Sequence, residues 1–140
     1  LSNIFGLKKM GADITLCGPP HLMPRYIEEL GVEVNNDIDE VINWADAINV
    51  LRIQRERMGV GIIPSIREYR NCFGITQERL ARHKKEIVIM HPGPLNRGVE
   101  IDSSIADGDQ TIILDQVLNG VAVRMSILYL LLGSEEEVKE

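Results

Sequence analysis

The sequence predicts an α/β fold, in which a parallel sheet of about four to five strands carries helices on both faces in a Rossmann-like, three-layer α/β/α arrangement. Three observations predict it. Short apolar runs alternate with helical patterns along the chain. The segments between successive runs are long enough for the crossovers that parallel strands need, whereas antiparallel hairpins need only tight turns. A length of 140 residues with 44% apolar content suits one domain with its own core.

Ile4, Phe5, Leu7 and Met10 recur at helical spacing and end at Gly11, a natural helix stop, so a helix comes first. Ala12 to Cys17 reads as a buried strand closed by Gly18-Pro-Pro, and Met23 to Leu30 as a helix ended by Gly31. Val32 to Val34 is a short second strand. Asp37 is placed to cap a helix running to Trp44, and Ala47 to Leu51 is a third strand. After a long polar loop, Ser65 caps a helix to about Cys72 and Thr76 opens another to about His83. Ile87 to Met90 is the fourth strand, and residues 112 to 132 form a closing helix. Trp44, the sole tryptophan, is expected in the core. Repeats and low-complexity segments are absent apart from the acidic tail Glu135 to Glu137.

Composition narrows the function classes. Cys17 and Cys72 lie far apart with no C-x-x-C partner, which indicates reduced thiols of a cytoplasmic protein and neither a disulfide framework nor a zinc site. The net charge of −6 argues against nucleic acid as a partner. The longest greasy stretch, Val121 to Leu132, is broken by Arg124 and Ser126, so no membrane span is expected. The first residues resemble neither a signal peptide nor a natural start, and the chain is expected to be a fragment. Charge is unevenly spread: residues 51 to 98 carry ten bases and four acids, a local excess of +6 in an acidic protein. A solvated basic helix would produce that excess, and so would a site for small anions.

In open α/β sheets, ligands gather at the carboxyl ends of the strands. The third strand runs into Leu51-Arg-Ile-Gln-Arg-Glu-Arg-Met58, where three guanidiniums and an amide emerge within six residues. Arginine forks bind carboxylates and phosphates bidentately. The fourth strand runs into His91-Pro-Gly-Pro-Leu-Asn-Arg-Gly98. Prolines at 92 and 94 stiffen this loop and remove two amide donors, leaving carbonyls as rigid acceptors for a ligand N–H. That suits an amide or amine substrate.

An arginine loop after one strand, followed by His-Pro-x-Pro after the next, resembles the aspartate and ornithine carbamoyltransferases. The match covers essentially the whole chain. Ser2 to Leu7, Arg52 to Arg57, His91 to Pro94 with Asn96 to Ile101, and Asn119 to Arg124 look like the aspartate branch. The ornithine branch carries His-Cys-Leu-Pro at the second loop, where this sequence has Pro92 and Gly93. Other members have leucine or alanine at position 93, a change that a backbone contact should survive.

The resemblance implies the L-aspartate-binding half of such an enzyme. Arg52 would hold a carboxylate of L-aspartate, with Gln54 as a neighbouring polar contact. Glu56 would steer Arg52, and Arg57 would bridge toward the other domain. Pro92, Gly93 and Pro94 would touch the carbamoyl group of carbamoyl phosphate through backbone carbonyls, while His91 serves loop geometry. No residue of the chain is assigned a catalytic role, and neither a cofactor nor a metal is implied. The family's Ser-x-Arg-Thr loop and His-x-x-Gln motif are not in this sequence; they belong to an N-terminal carbamoyl phosphate-binding domain. Without them the chain alone is expected to be inactive. The complete enzyme is expected to be a homotrimer of pyrimidine biosynthesis, with regulatory or dihydroorotase subunits as further partners. A noncatalytic binding or interaction domain of the same fold is the alternative. A dinucleotide-binding oxidoreductase fits the alternation but not Gly18-Pro-Pro, which lacks the G-x-G-x-x-G spacing.

Overall fold

The computed structural model describes residues 1–54, 65–83 and 85–133. Its elements run α1 (Ser2–Lys9), β1 (Thr15–Cys17), β2 (Glu33–Asn35), α2 (Ile38–Trp44), β3 (Ala47–Asn49), α3 (Ile66–Phe73), α4 (Gln77–Arg82), β4 (Val88–Met90), α5 (Ser103–Ala106) and α6 (Ile113–Leu132). The strands pair in parallel, as the long crossovers require. Thr15, Leu16 and Cys17 stand opposite Glu33, Val34 and Asn35, and Ala47, Ile48 and Asn49 stand opposite Val88, Ile89 and Met90. Among the described residues these ladders form two pairs, β1 with β2 and β3 with β4. A parallel bridge from Ile89 to Thr111 widens the second pair: the Ile89 amide donates to the Gln110 carbonyl, and the Ile112 amide donates back to Ile89.

Side chains chosen by helix-start chemistry do cap their helices. Asp37 accepts from the amides of Asp39 and Glu40 at 2.9 and 3.2 Å, Ser65 from Glu68 at 3.0 Å, and Thr76 from Arg79 at 3.1 Å. Each cap satisfies amides that the first helical turn leaves without partners, typically stabilising by about 1 kcal/mol. The expected helix over 23 to 30 is not there. A 3₁₀ turn over Ile27–Leu30 takes part of its place, and another, Pro20–Leu22, precedes it. Pro24 supplies the reason, because a proline ring disfavours helical backbone in the preceding residue, and Met23 is extended at φ −74°, ψ 129°. Gly31 still closes the segment, in the left-handed conformation at φ 70°.

Trp44 corrects a second expectation, since it is 50% exposed. The buried residues of this segment are Ile38, Val41, Ile42 and Ala45, spaced i, i+3, i+4, i+7. That stripe passes beside position 44. The main core joins Ile38 and Ile42 to Val50, Ile75, Ile87, Ile89, Ile101, Ile105 and Ile113, with Cys17 and Ile48 packed against it. A smaller cluster gathers Ile4, Ile27 and Val32 with Ile14 and Leu16. Alternate residues of the first strand segment thus serve different cores, 14 and 16 one and 17 the other, which is how a strand covered on both faces behaves.

α6 differs from every other element. Ile113 is its buried residue, whereas Leu114, Leu118, Met125 and Leu130 are 84%, 69%, 65% and 69% exposed. Among the described residues it is the one helix long and apolar enough to cross a membrane by length and composition, with mean hydropathy 1.3. Arg124 lies within the span, where a charge at a bilayer centre costs about 2.5 to 3.5 kcal/mol. The helix is also tied to the sheet: it packs against β4, and Val117 lies 3.6 Å from where a Cβ on Gly93 would stand.

Candidate functional site

Because β3 and β4 run parallel and side by side, the loops that follow them leave the same edge of the sheet. The ladder continues one step further, the Val50 amide donating to the Met90 carbonyl at 2.9 Å. Beyond it, Ile53 is 8% exposed and planted in the protein, while Arg52 and Gln54 on either side are half-buried. An aliphatic anchor between two polar residues holds the base of the arginine loop and leaves its flanking side chains partly open. Glu56 and Arg57 lie outside the described residues.

The second loop has the composition of an acceptor surface. Pro92 and Pro94 are exposed and have no amide hydrogen, and Gly93 sits at φ 66°, in the region that favours glycine. The Gly93–Pro94 peptide is cis. The one amide hydrogen of this tripeptide, on Gly93, is donated to Nδ1 of His91 at 2.9 Å. No backbone donor of residues 92 to 94 is left over, so carbonyls are the polar backbone groups the segment can offer a ligand.

His91 is fully buried. As its Nδ1 accepts, its proton belongs on Nε2, which faces Oε1 of Glu100 at 3.6 Å, beyond hydrogen-bond length. Burial pushes the imidazole pKa below its ordinary value, against the opposing pull of the Glu100 carboxylate. Glu100 is 1% exposed, and its Oε1 accepts the backbone amide of Asn96 at 2.5 Å. The side chain of Asn96 then donates from Nδ2 to the carbonyl of Ile53 at 3.1 Å. Hydrogen bonds and one close polar contact therefore connect the loop after β4 to the loop after β3, in the order Gly93, His91, Glu100, Asn96, Ile53.

Sequence reasoning gave Asn96 and Glu100 no role of their own. A glutamate between Val99 and Ile101 was the available signal, since an acid inside an apolar run is either at a surface or holding something. Arg97 is turned to other use, its guanidinium forming a paired contact with Asp107 at 2.7 and 2.8 Å. Burial raises the Cys17 thiol pKa to about 11, with Asp37 adding to the rise and Arg79 opposing it, and Cys72 is an exposed free thiol. Among the described residues no group of three or more His, Cys, Asp or Glu side chains is arranged to hold a metal ion. A broad, open depression lined by Val34 to Asp39 and Cys72 lies at the end of β2 and contains no residue of either loop. Its two carboxylates disfavour an anionic ligand.

Three comparisons agree on the kinship of this chain. The family model described as aspartate/ornithine carbamoyltransferase, Asp/Orn binding domain, matches residues 1–131. The chain is 55% identical over 139 residues to the aspartate carbamoyltransferase catalytic subunit of Gemmatimonas aurantiaca, an alignment covering 99% of the chain and 44% of that protein. It is 56% identical over 131 residues to the corresponding subunit of Christiangramia forsetii, covering 94% of the chain and 42% of the relative. The chain thus spans less than half the length of the curated relatives it matches. Among solved structures, an ornithine carbamoyltransferase from Thermus thermophilus superposes with a TM-score of 0.73 at 19% identity, over 91% of the chain and 42% of that structure. An aspartate transcarbamoylase from Trypanosoma cruzi, in complex with phosphate, gives 0.65 at 23% identity, over 82% and 39%. At these identities the superpositions establish the α/β fold.

Proposed function

The chain belongs to the aspartate/ornithine carbamoyltransferase family, and we propose that it is the L-aspartate-binding half of an aspartate carbamoyltransferase. The observation that carries the reading is the pairing of β3 with β4, from whose same end Arg52 and Gln54 on one side and the stiff Pro92–Pro94 segment, its one amide already donated, on the other both follow. Each loop suits one part of the reaction. The Arg52 guanidinium takes a carboxylate of L-aspartate in a charge-assisted fork, and Gln54 adds a polar contact. Glu56 orients Arg52, and Arg57 reaches toward the rest of the enzyme. The carbonyls of Pro92, Gly93 and Pro94 accept from the carbamoyl NH2 group of carbamoyl phosphate.

Held there, the neutral aspartate amine attacks the carbamoyl carbon. A C–N bond forms, the C–O bond to phosphate breaks, and the amine proton leaves with the phosphate product. Rate comes from proximity and anion clamping, and no metal or organic cofactor takes part. The phosphate ligands come from the N-terminal domain that makes up the rest of the relatives' length. On this reading the complete enzyme is a cytoplasmic homotrimer of pyrimidine biosynthesis, in which regulatory or dihydroorotase subunits are further partners; neither nucleic acid nor a membrane is among them.

The test is Arg52→Ala in the protein that joins this chain to that N-terminal domain. Losing the fork to a substrate carboxylate should lower kcat/KM for L-aspartate by about 100- to 1000-fold. An unchanged kcat/KM removes Arg52 from the site.

A further inference from the structure

We propose that Asn96 is a positioning residue for L-aspartate, acting as a strut that fixes the arginine loop relative to the carbamoyl loop. The inference rests on the aspartate-site reading above and adds to it a residue that touches no substrate. Asn96 Nδ2 donates to the carbonyl of Ile53 at 3.1 Å, across 43 positions of sequence. The side-chain amide must face this way round, because its oxygen turned toward a carbonyl would be repulsive. Ile53 is the residue between Arg52 and Gln54, so a shift of its peptide moves both aspartate contacts together.

The strut has a buried base. The backbone of Asn96 is held by Oε1 of Glu100, a carboxylate only 1% exposed. The same oxygen stands 3.6 Å from Nε2 of fully buried His91, whose other nitrogen fixes Gly93. Among the described residues, neither Glu100 Oε2 nor His91 Nε2 has a hydrogen-bond partner. A buried acid with one idle oxygen and a buried imidazole with one idle nitrogen are poor devices for stability alone. They are placed, though, to set the distance between two loops. Orientation is demanding in such a reaction, where a misplacement of roughly 1 Å can cost about 100-fold in rate.

The experiment compares Asn96→Ala and Asn96→Asp, with Arg52→Ala as control, in the protein that joins this chain to its N-terminal domain. For Asn96→Ala the KM for L-aspartate should rise about tenfold while the KM for carbamoyl phosphate stays within about twofold, because the His91 and Glu100 contacts to the other loop remain. Asn96→Asp should be worse than Asn96→Ala, since it sets a carboxylate oxygen against the Ile53 carbonyl. A packing role would order the two the other way, because aspartate keeps the shape of asparagine. Thermal unfolding of each variant reports folding, and should Asn96→Asp not fold, the KM split of Asn96→Ala decides alone. If the unmodified protein shows no aspartate-dependent transfer, or Arg52→Ala leaves it intact, the aspartate-site reading fails and the strut with it. If both controls behave and Asn96→Ala keeps its aspartate KM, the strut alone is overturned.

Discussion

Arg79 is 8% exposed, and its guanidinium donates to three acceptors: Asp39 on α2, and the carbonyls of Asn71 and Gly74 at the end of α3. One side chain therefore fastens three helices behind the sheet edge that carries the two loops. Replacing it by a shape-matched apolar residue takes the guanidinium from the Asn71 and Gly74 carbonyls and leaves Asp39 only its His83 contact and solvent. Arg79→Met should lower unfolding free energy by about 2 to 4 kcal/mol, measured by urea titration. Its partner Asp39 has a pH signature. Burial works to raise the Asp39 pKa, but the hydrogen bond to His83 and the charges of Arg79 and Arg82 outweigh it, and the carboxyl ends below its ordinary 3.8. A depressed carboxyl contributes stability that is fully present above the unfolded value and is lost as pH falls through the folded one. Asp39→Asn should accordingly reduce the steepness of acid unfolding below about pH 4. His91 acts in a higher window. Its folded pKa is below 6.5 because it is buried, so the unfolded chain binds the proton more readily and stability falls as pH drops below that value. His91→Asn keeps an acceptor near Nδ1 without the titration, and it should flatten the dependence of Tm on pH below about pH 6.5. A slope equal to that of the unmodified protein would contradict the assignment of a neutral, buried His91.

Among the elements, those whose boundaries depend on local chemistry were legible. The capping residues Asp37, Ser65 and Thr76 were readable because a short oxygen-bearing side chain before an apolar pattern has one favourable use. The segment 23 to 30 was not, since its apolar spacing suits a helix while Pro24 forbids one at Met23. Trp44 shows a related limit, because a large aromatic at a helix end can lie beside the buried stripe, and the smaller Ala45 completes that stripe. α5, with four residues, is too short to have a period. α6 was legible as a helix, and the structure adds that its apolar side chains are exposed, which has a consequence. A helix of 20 residues extends about 30 Å, and here nearly all of its side chains are exposed. Apolar surface of that size usually drives association. The purified 140-residue chain should therefore self-associate through α6, and it should do so less once the proposed N-terminal domain is supplied in trans. Leu118→Lys with Met125→Lys, two exposed residues about two turns apart on one face, should shift the sedimentation profile toward monomer. A stable monomer of the unmodified chain at high concentration, with the helix ordered, would contradict this.

At the scale of the whole molecule, the proposed function divides one task between two domains. On the proposed reading, the aspartate clamp and the carbonyl platform lie in this chain, and the ligands for phosphate lie in sequence that the relatives have and these 140 residues do not include. The isolated chain should therefore form no carbamoyl-aspartate above background, and product formation by a preparation free of contaminating enzyme would refute the division. How far the site could be read from sequence follows the same line between local and distant. Arg52, Gln54 and the Pro92 to Pro94 loop stand out because their chemistry is written in consecutive residues. The path from His91 through Glu100 and Asn96 to Ile53 does not, because it becomes visible only once a contact spanning 43 positions has formed. That contact also bears on how such a site can be inherited or transplanted. An arginine loop copied alone onto another scaffold would bring its fork and leave its brace behind. On the proposed reading the transferable unit is the two loops with the buried acid between them, and a lineage changing its amino-acid substrate would have to alter both together.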